Sequence, residues 1–161
     1  MPSFYRQVET LGAQLKQRSW YLSVAESCTG GALAEALTSV PGSSSWFDSG
    51  IVSYSEHSKM KLLGVPVDLI QLHGAVSSEV AMAMAAGLLT RSQSQLSLSI
   101  TGLAGPDVGA ERYPVGTVYF GMTEALKAAE FRLMHFTGNR EEIRQQAVCF
   151  ALEWLIEETK L

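Results

Sequence analysis

The chain has 161 residues, of which 47% are hydrophobic and 17% charged, which excludes a disordered linker and predicts one domain with a buried core. Its formal net charge of −4 excludes the basic surface that duplex nucleic acid requires, although a local basic pocket could still hold one phosphate. The sequence has no apolar run of the roughly 18 residues that a membrane span needs and no signal-peptide pattern, so we expect no membrane association and a cytoplasmic location.

The cysteines and histidines do not form the pattern of a metal site. The 2 cysteines, Cys28 and Cys149, have no CxxC spacing, and the 3 histidines, His57, His73 and His135, are not at metal-ligand spacing. We therefore expect neither a metal nor a disulfide framework.

The first part of the chain predicts a helix, a strand and a second helix. Apolar residues at helical spacing predict an amphipathic helix over residues 3–18. The apolar, β-prone run over residues 20–25 predicts a buried strand, and a turn of small residues then leads to a helix that begins near Ala32. A strand, a tight turn and a helix in this order point a helix N-terminus at a ligand.

The next elements repeat this alternation. Residues 41–45 form a loop by composition, residues 47–54 read as a strand, and residues 55–63 read as a short helix that Gly64 ends. Residues 77–90 predict another helix, with Ser77 or Ser78 as its N-cap.

The last part of the chain predicts strands and one long helix. Residues 96–100 alternate as a strand does, and the long loop over residues 102–114 is of a kind that often carries function. Residues 115–122 and 129–136 predict a hairpin. Asn139 and Glu142 resemble a capping box that opens a final amphipathic helix. The whole pattern predicts a single α/β domain over residues 1–161, with three α/β/α layers around a mixed sheet.

Ser27 and Cys28 are the candidate nucleophiles. Ser27 lies where a strand ends and a helix begins, so backbone N–H groups could hold the oxyanion that forms when its hydroxyl attacks a carbonyl. A serine at this place is more often only an N-cap. Cys28 is the rival, because a helix N-terminus lowers a thiol pKa, but a free cysteine is more often a small buried hydrophobe. No histidine stands in an obvious relation to Cys28, which favours Ser27.

Lys59 is the candidate base, at the second junction between a strand and a helix. A lysine acts as a base only if its pKa falls from about 10.4 toward 7–8, which corresponds to roughly 4 kcal/mol of disfavoured charge. Burial or a cationic neighbour must supply that energy. The alternative interpretation is a solvated lysine on a helix surface.

Two further stretches could bind a nucleotide. The glycine-rich residues 101–107 follow a strand and could line a pocket for a ribose or a phosphate, but they match neither a Walker loop nor a GxGxxG element. Arg140 and Arg144 lie one helical turn apart and could bind a phosphate together. The alternative for the arginines is solvation and pairing with Glu141.

A series of motifs, in order along nearly the whole chain, resembles the CinA carboxy-terminal-domain family. The matching stretches are Ala-Glu-Ser-Cys-Thr-Gly-Gly at 25–31, Pro-Gly-Ser-Ser-Ser-Trp-Phe at 41–47, Tyr54-Ser55 with Lys59, Leu-Gly-Val at 63–65, His-Gly-Ala-Val-Ser at 73–77, Ser-Ile-Thr-Gly at 99–102, Ala-Gly-Pro-Asp at 104–107 and Pro-Val-Gly-Thr-Val at 114–118. Free-standing members of this family include nicotinamide-nucleotide amidases.

The resemblance implies a serine/lysine dyad, with Ser27 as the nucleophile and Lys59 as the base. The implied reaction converts nicotinamide mononucleotide to nicotinic acid mononucleotide and ammonia, without a metal or another cofactor, in a homodimer or larger homo-oligomer. The implied supporting residues are Tyr54 to orient the dyad or the ring, Thr29, Gly30 and Gly31 around the oxyanion, Thr101, Gly102, Gly105 and Asp107 on the nucleotide, and Arg140 and Arg144 on its phosphate.

Three positions depart from the family pattern. Many members have asparagine where this chain has Glu56, glycine where it has Val108 and lysine where it has Tyr113. Glu56 and Lys59 share a helix face, and a nearby anion would raise the lysine pKa unless solvent screens it. The alternative functions are therefore a catalytically silent paralogue that binds a nucleotide or a protein, and a cysteine-dependent enzyme that acts on another amide.

Overall fold

The computed structural model describes residues 3–107 and 113–161. Their helices and strands, in chain order, are α1 (Tyr5–Arg18), β1 (Leu22–Glu26), α2 (Ala32–Thr38), β2 (Phe47–Val52), α3 (Glu56–Leu63), α4 (Val67–His73), α5 (Ser78–Arg91), β3 (Leu96–Gly102), β4 (Thr117–Glu124), β5 (Glu130–His135) and α6 (Arg140–Thr159), with one 3-10 turn at Ser43–Ser45. Within these ranges no helix is both long and apolar enough to cross a membrane.

The sheet is mixed, with five strands in the order β2-β1-β3-β4-β5. Strand β1 runs parallel to both β2 and β3, whereas β4 is antiparallel to β3 and to β5. Glu26, the last residue of β1, is in register with Val52 of β2 and Ile100 of β3. The carboxyl ends of the three parallel strands therefore meet at one edge of the sheet, where open α/β folds bind ligands.

Helices cover both faces of the sheet, which confirms the predicted three-layer α/β/α architecture. Helices α1, α2 and α6 pack together on one face, and α3 and α4 pack on α5 across the other. The leucines and Ile100 of β3 lie in the core of the first face. The β3 serines are also fully buried, and on the second face Ser97 Oγ donates to Ala85 O and Ser99 Oγ to Ala81 O of α5. These hydrogen bonds satisfy hydroxyl groups that would otherwise be costly to bury.

The helix termini follow the local signals in the sequence. Ser55 caps α3 by accepting from Ser58 N–H, and Gly64 ends that helix in the left-handed region. Ser77 caps α5. The capping box of Asn139 and Glu142 opens α6 with both of its hydrogen bonds present.

The structure differs from the sequence-based elements at one helix and at several strand ends. Among these, β4 covers Thr117–Glu124 instead of residues 115–122, because residues 115 and 116 form a turn. Helix α4 was not predicted, because it has seven residues and buries only Ile70, too little to show a periodic pattern. Strand β1 begins at Leu22 because Tyr21 is exposed and lies before the ladder. Strand β2 ends at Val52, since Tyr54 and Ser55 already lead into the cap of α3. Val108 lies outside the described residues.

Candidate active site

A cavity of about 280 Å³ opens at the carboxyl ends of the parallel strands. Eight of the site residues predicted from the sequence line it. These are Ser27, Tyr54, Lys59, Thr101, Gly102, Gly105, Asp107 and Arg140. They come from the turn after β1, the β2–α3 connection, α3 itself, the end of β3 with the loop after it, and the start of α6. The parallel register of the strands brings these distant segments together.

Ser27 and Lys59 are in direct contact at the bottom of this cavity. Lys59 Nζ lies 3.0 Å from Ser27 Oγ. Lys59 is only 2% exposed, and Ser27 is 7% exposed. Ser27 immediately follows β1, and its N–H donates to Ile100 O of the neighbouring strand. The hydroxyl and the amine are thus held side by side and shielded from bulk water.

Lys59 is buried because its helix is fixed against the end of β2. Its Nζ donates to Ser53 O at 2.9 Å and to Tyr54 O at 3.2 Å, both in the short connection that leads into α3. Ser55, the N-cap of α3, directly follows Tyr54. The side chain of Lys59, one turn into the helix, therefore reaches back to the carbonyl groups of this connection. The amine is thus enclosed by three oxygen atoms, those of Ser27 Oγ, Ser53 O and Tyr54 O.

Cys28 also lines the cavity, but its thiol is poorly suited to react. Burial raises the pKa of Cys28 to about 11, against a smaller lowering by its backbone hydrogen bond and by the charges of Lys59 and Arg144. At neutral pH the sulfur is therefore a thiol, which is a weak nucleophile.

The turn after Ser27 is closed by its own main chain. Gly30 N–H donates to Ser27 O, and Gly30 and Gly31 both have positive φ, which favours glycine at these positions. Neither of them lines the cavity, and nor does Thr29. The Thr29 side chain is fully buried, and its Oγ1 has no hydrogen-bond partner among the described residues.

The two arginines of α6 have different surroundings. Arg140 lines the cavity, where it donates to Gly105 O at 2.6 Å and to Tyr54 Oη at 3.1 Å. Arg144 does not line this cavity. Both arginines line a neighbouring groove of about 730 Å³ between α2, α6 and the start of α1, so they share a face of α6. Arg140 thereby joins the mouth of the cavity to this groove.

Other side chains complete the walls. Thr101 is buried and donates to Ala75 O at 2.8 Å, which fixes the loop before α5 against the end of β3. Four apolar residues that were not predicted also line the cavity, namely Ala75, Val76, Leu103 and Ala104. The sequence signalled them only by their place within or next to stretches that resemble the family.

Two of the departures from the family pattern, Glu56 and Tyr113, lie within the described residues. Glu56 lines the cavity, but its side chain is exposed while Lys59 on the same helix is buried, so solvent screens its carboxylate. Tyr113 packs edge-on against Tyr119, with ring centroids 5.9 Å apart, and does not line the cavity. Across residues 3–107 and 113–161, no group of three or more His, Cys, Asp or Glu side chains is placed to hold a metal ion.

Comparisons with known proteins agree on one family. The model of the CinA C-terminal domain matches residues 5–159. A protein of Enterobacter agglomerans named nicotinamide-nucleotide amidohydrolase PncC is 43% identical over 148 residues, which cover 92% of this chain and 90% of that protein. A CinA-like protein of Geotalea daltonii is 46% identical over 149 residues, but these cover 36% of its length. A solved CinA superfamily protein from Klebsiella pneumoniae superposes with a TM-score of 0.94 at 34% identity, covering 98% of both chains.

Proposed function

The chain belongs to the CinA C-terminal domain family and is an amidohydrolase, and we propose that it hydrolyses the carboxamide of nicotinamide mononucleotide to nicotinic acid mononucleotide and ammonia. The names of the amidohydrolase relatives support this substrate, since about nine-tenths of this chain aligns with about nine-tenths of theirs. The proposal assigns Ser27 as the nucleophile and Lys59 as its general base.

The observation that carries this proposal is the 3.0 Å contact between Lys59 Nζ and Ser27 Oγ inside the cavity. A neutral amine has two N–H groups and one lone pair. The carbonyl oxygens of Ser53 and Tyr54 can only accept, so they orient the two N–H groups. In this neutral form the lone pair can take the hydroxyl proton of Ser27, whose Oγ lies 3.0 Å away, and this step is the proton abstraction that we propose.

The proposed reaction forms and breaks an acyl-enzyme. Lys59 takes the proton as Ser27 Oγ attacks the carboxamide carbon, and ammonia leaves after Lys59 returns the proton to its nitrogen. Water then cleaves the ester, and Lys59 acts as the base for the water. Main-chain N–H groups stabilise the oxyanion in both steps. Gly30 N–H already donates to Ser27 O, so we assign this role to the N–H of Cys28, a residue that lines the cavity, and to the N–H groups of Thr29 and Gly31 on either side of Gly30.

The cavity walls support recognition of a flat ring that carries an amide. Ala75, Val76, Leu103 and Ala104 supply apolar surface for a pyridine ring, next to the dyad. Tyr54 is 60% exposed at the mouth, and its hydroxyl accepts from Arg140, so we assign to this pair the contacts with the ribose and the phosphate. The remaining proposed nucleotide contacts are Thr101, Gly102, Gly105 and Asp107.

The alternative function is a family member that binds the nucleotide but does not turn it over. Glu56 favours this alternative, because its carboxylate lies on the rim of the cavity and on the same helix as Lys59. An anion near a lysine opposes the loss of the lysine proton. Solvent around the exposed Glu56 side chain weakens this effect.

The decisive experiment incubates the purified chain with nicotinamide mononucleotide and follows ammonia and nicotinic acid mononucleotide. We expect turnover by the wild type, and we expect Ser27→Ala and Lys59→Met to reduce kcat by at least about 1,000-fold because each removes one half of the dyad. Lys61→Met is the matched control, since Lys61 is exposed on the same helix.

Two results would contradict the dyad or the activity. A Lys59→Met variant that retains turnover would remove the lysine from the reaction. A folded wild type that binds the nucleotide without turnover would favour the alternative, and Glu56→Asn would then show whether this one carboxylate silences the site.

A further inference from the structure

Glu26 is a buried carboxylate that the proposed reaction does not use. It is the last residue of β1, its side chain is 1% exposed, and it does not line the cavity. Its two oxygens accept from Leu33 N–H and Ala34 N–H in the first turn of α2, each at 2.9 Å. The carboxylate therefore ties the residue before Ser27 to the helix that follows the turn.

Arg144 holds the same turn from the other side. Its Nε donates to Cys28 O at 3.1 Å and its Nη2 to Thr29 O at 2.9 Å. A Cβ built on Gly30 would lie 3.3 Å from Nη2, so the guanidinium extends along the turn. These two donor atoms are committed to main-chain carbonyls, which limits what Arg144 can offer to a phosphate.

Each charge lies where the main-chain dipoles favour it. A carboxylate is stabilised by the N–H groups that begin a helix, and a guanidinium is stabilised by carbonyl oxygens. Hydrogen bonds to charged groups are shorter and stronger than those between neutral groups. The four contacts together fix the chain that enters and leaves Ser27, including the N–H of Cys28.

We infer that Glu26 and Arg144 are positioning residues, which hold Ser27 and the N–H groups after it in the geometry that the reaction needs. The expected effect of Glu26 and Arg144 on amide hydrolysis rests on the proposed function. Their expected effect on the reactivity of Ser27 does not rest on it, so the inference and the proposed function can be tested separately. The same inference removes Arg144 from phosphate recognition and leaves Arg140 as the arginine at the cavity.

The first test measures how fast Ser27 reacts with a fluorophosphonate, which does not depend on recognition of a nucleotide. The serine oxygen bonds to phosphorus, fluoride leaves, and the serine proton passes to Lys59, so intact mass reports the adduct. We expect Glu26→Gln and Arg144→Gln each to slow this reaction by about 10- to 100-fold. The glutamine side chain keeps the size of Glu26 but presents an NH₂ group to one of the two N–H donors.

The matched control is Ser97→Ala, which removes a buried hydrogen bond to α5 away from the cavity. It should destabilise the fold but leave the labelling rate within about 2-fold. Rates are compared only for proteins that keep the near-UV circular dichroism of the wild type. Should Glu26→Gln not fold, Arg144→Gln carries the test, because Arg144 is only half-buried.

The second test separates positioning from phosphate binding. We expect Arg144→Gln to lower kcat by a similar factor for nicotinamide mononucleotide and for nicotinamide riboside, with KM changed by less than about 3-fold. An increase in KM for the mononucleotide alone would overturn the inference and make Arg144 a phosphate ligand. Labelling of both glutamine variants at the wild-type rate would also overturn it, as would a wild type whose Ser27 is not labelled. A wild type that is labelled but does not hydrolyse the mononucleotide would refute the proposed function and not this inference.

Discussion

Ser27 and Cys28 are neighbours in one turn, yet their surroundings give them different chemistry. Ser27 Oγ contacts Lys59 Nζ, whereas burial raises the pKa of the Cys28 thiol to about 11. A nucleophile needs a base within hydrogen-bond reach, or a lowered pKa of its own. Ser27 meets the first condition. Cys28 fails the second, since its pKa is shifted in the opposite direction.

The raised pKa of Cys28 predicts a slow thiol. At pH 8 its thiolate fraction should be about 100-fold below that of an ordinary thiol with a pKa of 9.0, because the pKa of Cys28 is about 11. We expect iodoacetamide to alkylate Cys28 correspondingly slowly and to accelerate as the pH rises toward 11. Mass spectrometry of peptides measures this rate, and the Cys28→Ala protein gives the background from Cys149.

The same variant tests the choice of nucleophile. Cys28→Ala should keep kcat within about 3-fold of the wild type, since the sulfur has no role in the proposed reaction. Loss of turnover in a folded Cys28→Ala protein would instead favour a cysteine-dependent enzyme.

Helix α3 carries Lys59, and α5 packs against α3. Gly87 of α5 lies against the end of α3, where an added Cβ would collide with Leu63 O. Arg91, one turn later, donates to Gly87 O, and its guanidinium packs against Gly64 at the end of α3. The burial of Lys59 thus depends on a close approach of two helices.

We therefore predict that Gly87→Ala moves α3 and destabilises the protein. Overpacking at such a contact lowers the free energy of unfolding by about 1–3 kcal/mol, although alanine is the better helix former. Urea unfolding measures the change, and kcat should fall with it because Lys59 lies on the displaced helix. Thr90→Ala is the control in the same helix, at an exposed position. Equal stability of Gly87→Ala and Thr90→Ala would show that α3 can move away without loss.

At the scale of the whole molecule, one sheet separates two main apolar clusters. One cluster joins β1, β3 and β4 to α1, α2 and α6, and the other lies under α3, α4 and α5. Because β1 contributes Val24 to the first cluster and Ala25 to the second, loss of either helical layer would expose apolar residues of the strand that both layers share.

This arrangement predicts a single cooperative unfolding transition for the proposed single domain. Leu11→Ala in the first cluster and Leu88→Ala in the second should each lower the free energy of unfolding by about 2–5 kcal/mol within that one transition. Leu72→Ala is the control, since Leu72 is 69% exposed. Calorimetry that resolves two transitions, each sensitive to one variant, would contradict a single domain. The homo-oligomer implied by the family resemblance stays a prediction, and a Tm that rises with protein concentration would support it.

The sequence by itself determined most of the elements and the composition of the candidate site. Strand and helix periodicity, the cap at Ser55, the stop at Gly64 and the capping box at Asn139 depend on residues within a few positions of each other, so they can be read locally. Helix α4 is the exception, because its short length leaves no periodic pattern to read. The ordered motifs also identified the family and singled out Ser27 and Lys59.

Only the tertiary structure decided how deeply each candidate side chain is buried and which groups it contacts. Lys59 and Ser27 are separated by 32 positions, and the parallel pairing of β1 with β2 is what brings them within 3.0 Å. Arg144 was predicted to bind a phosphate together with Arg140, and only the folded chain shows that its Nε and Nη2 donate to carbonyls of the turn after Ser27. Glu26 carried no signal apart from its place in a motif. Burial and hydrogen-bond partners arise from segments far apart in the chain, and local sequence patterns do not contain that information.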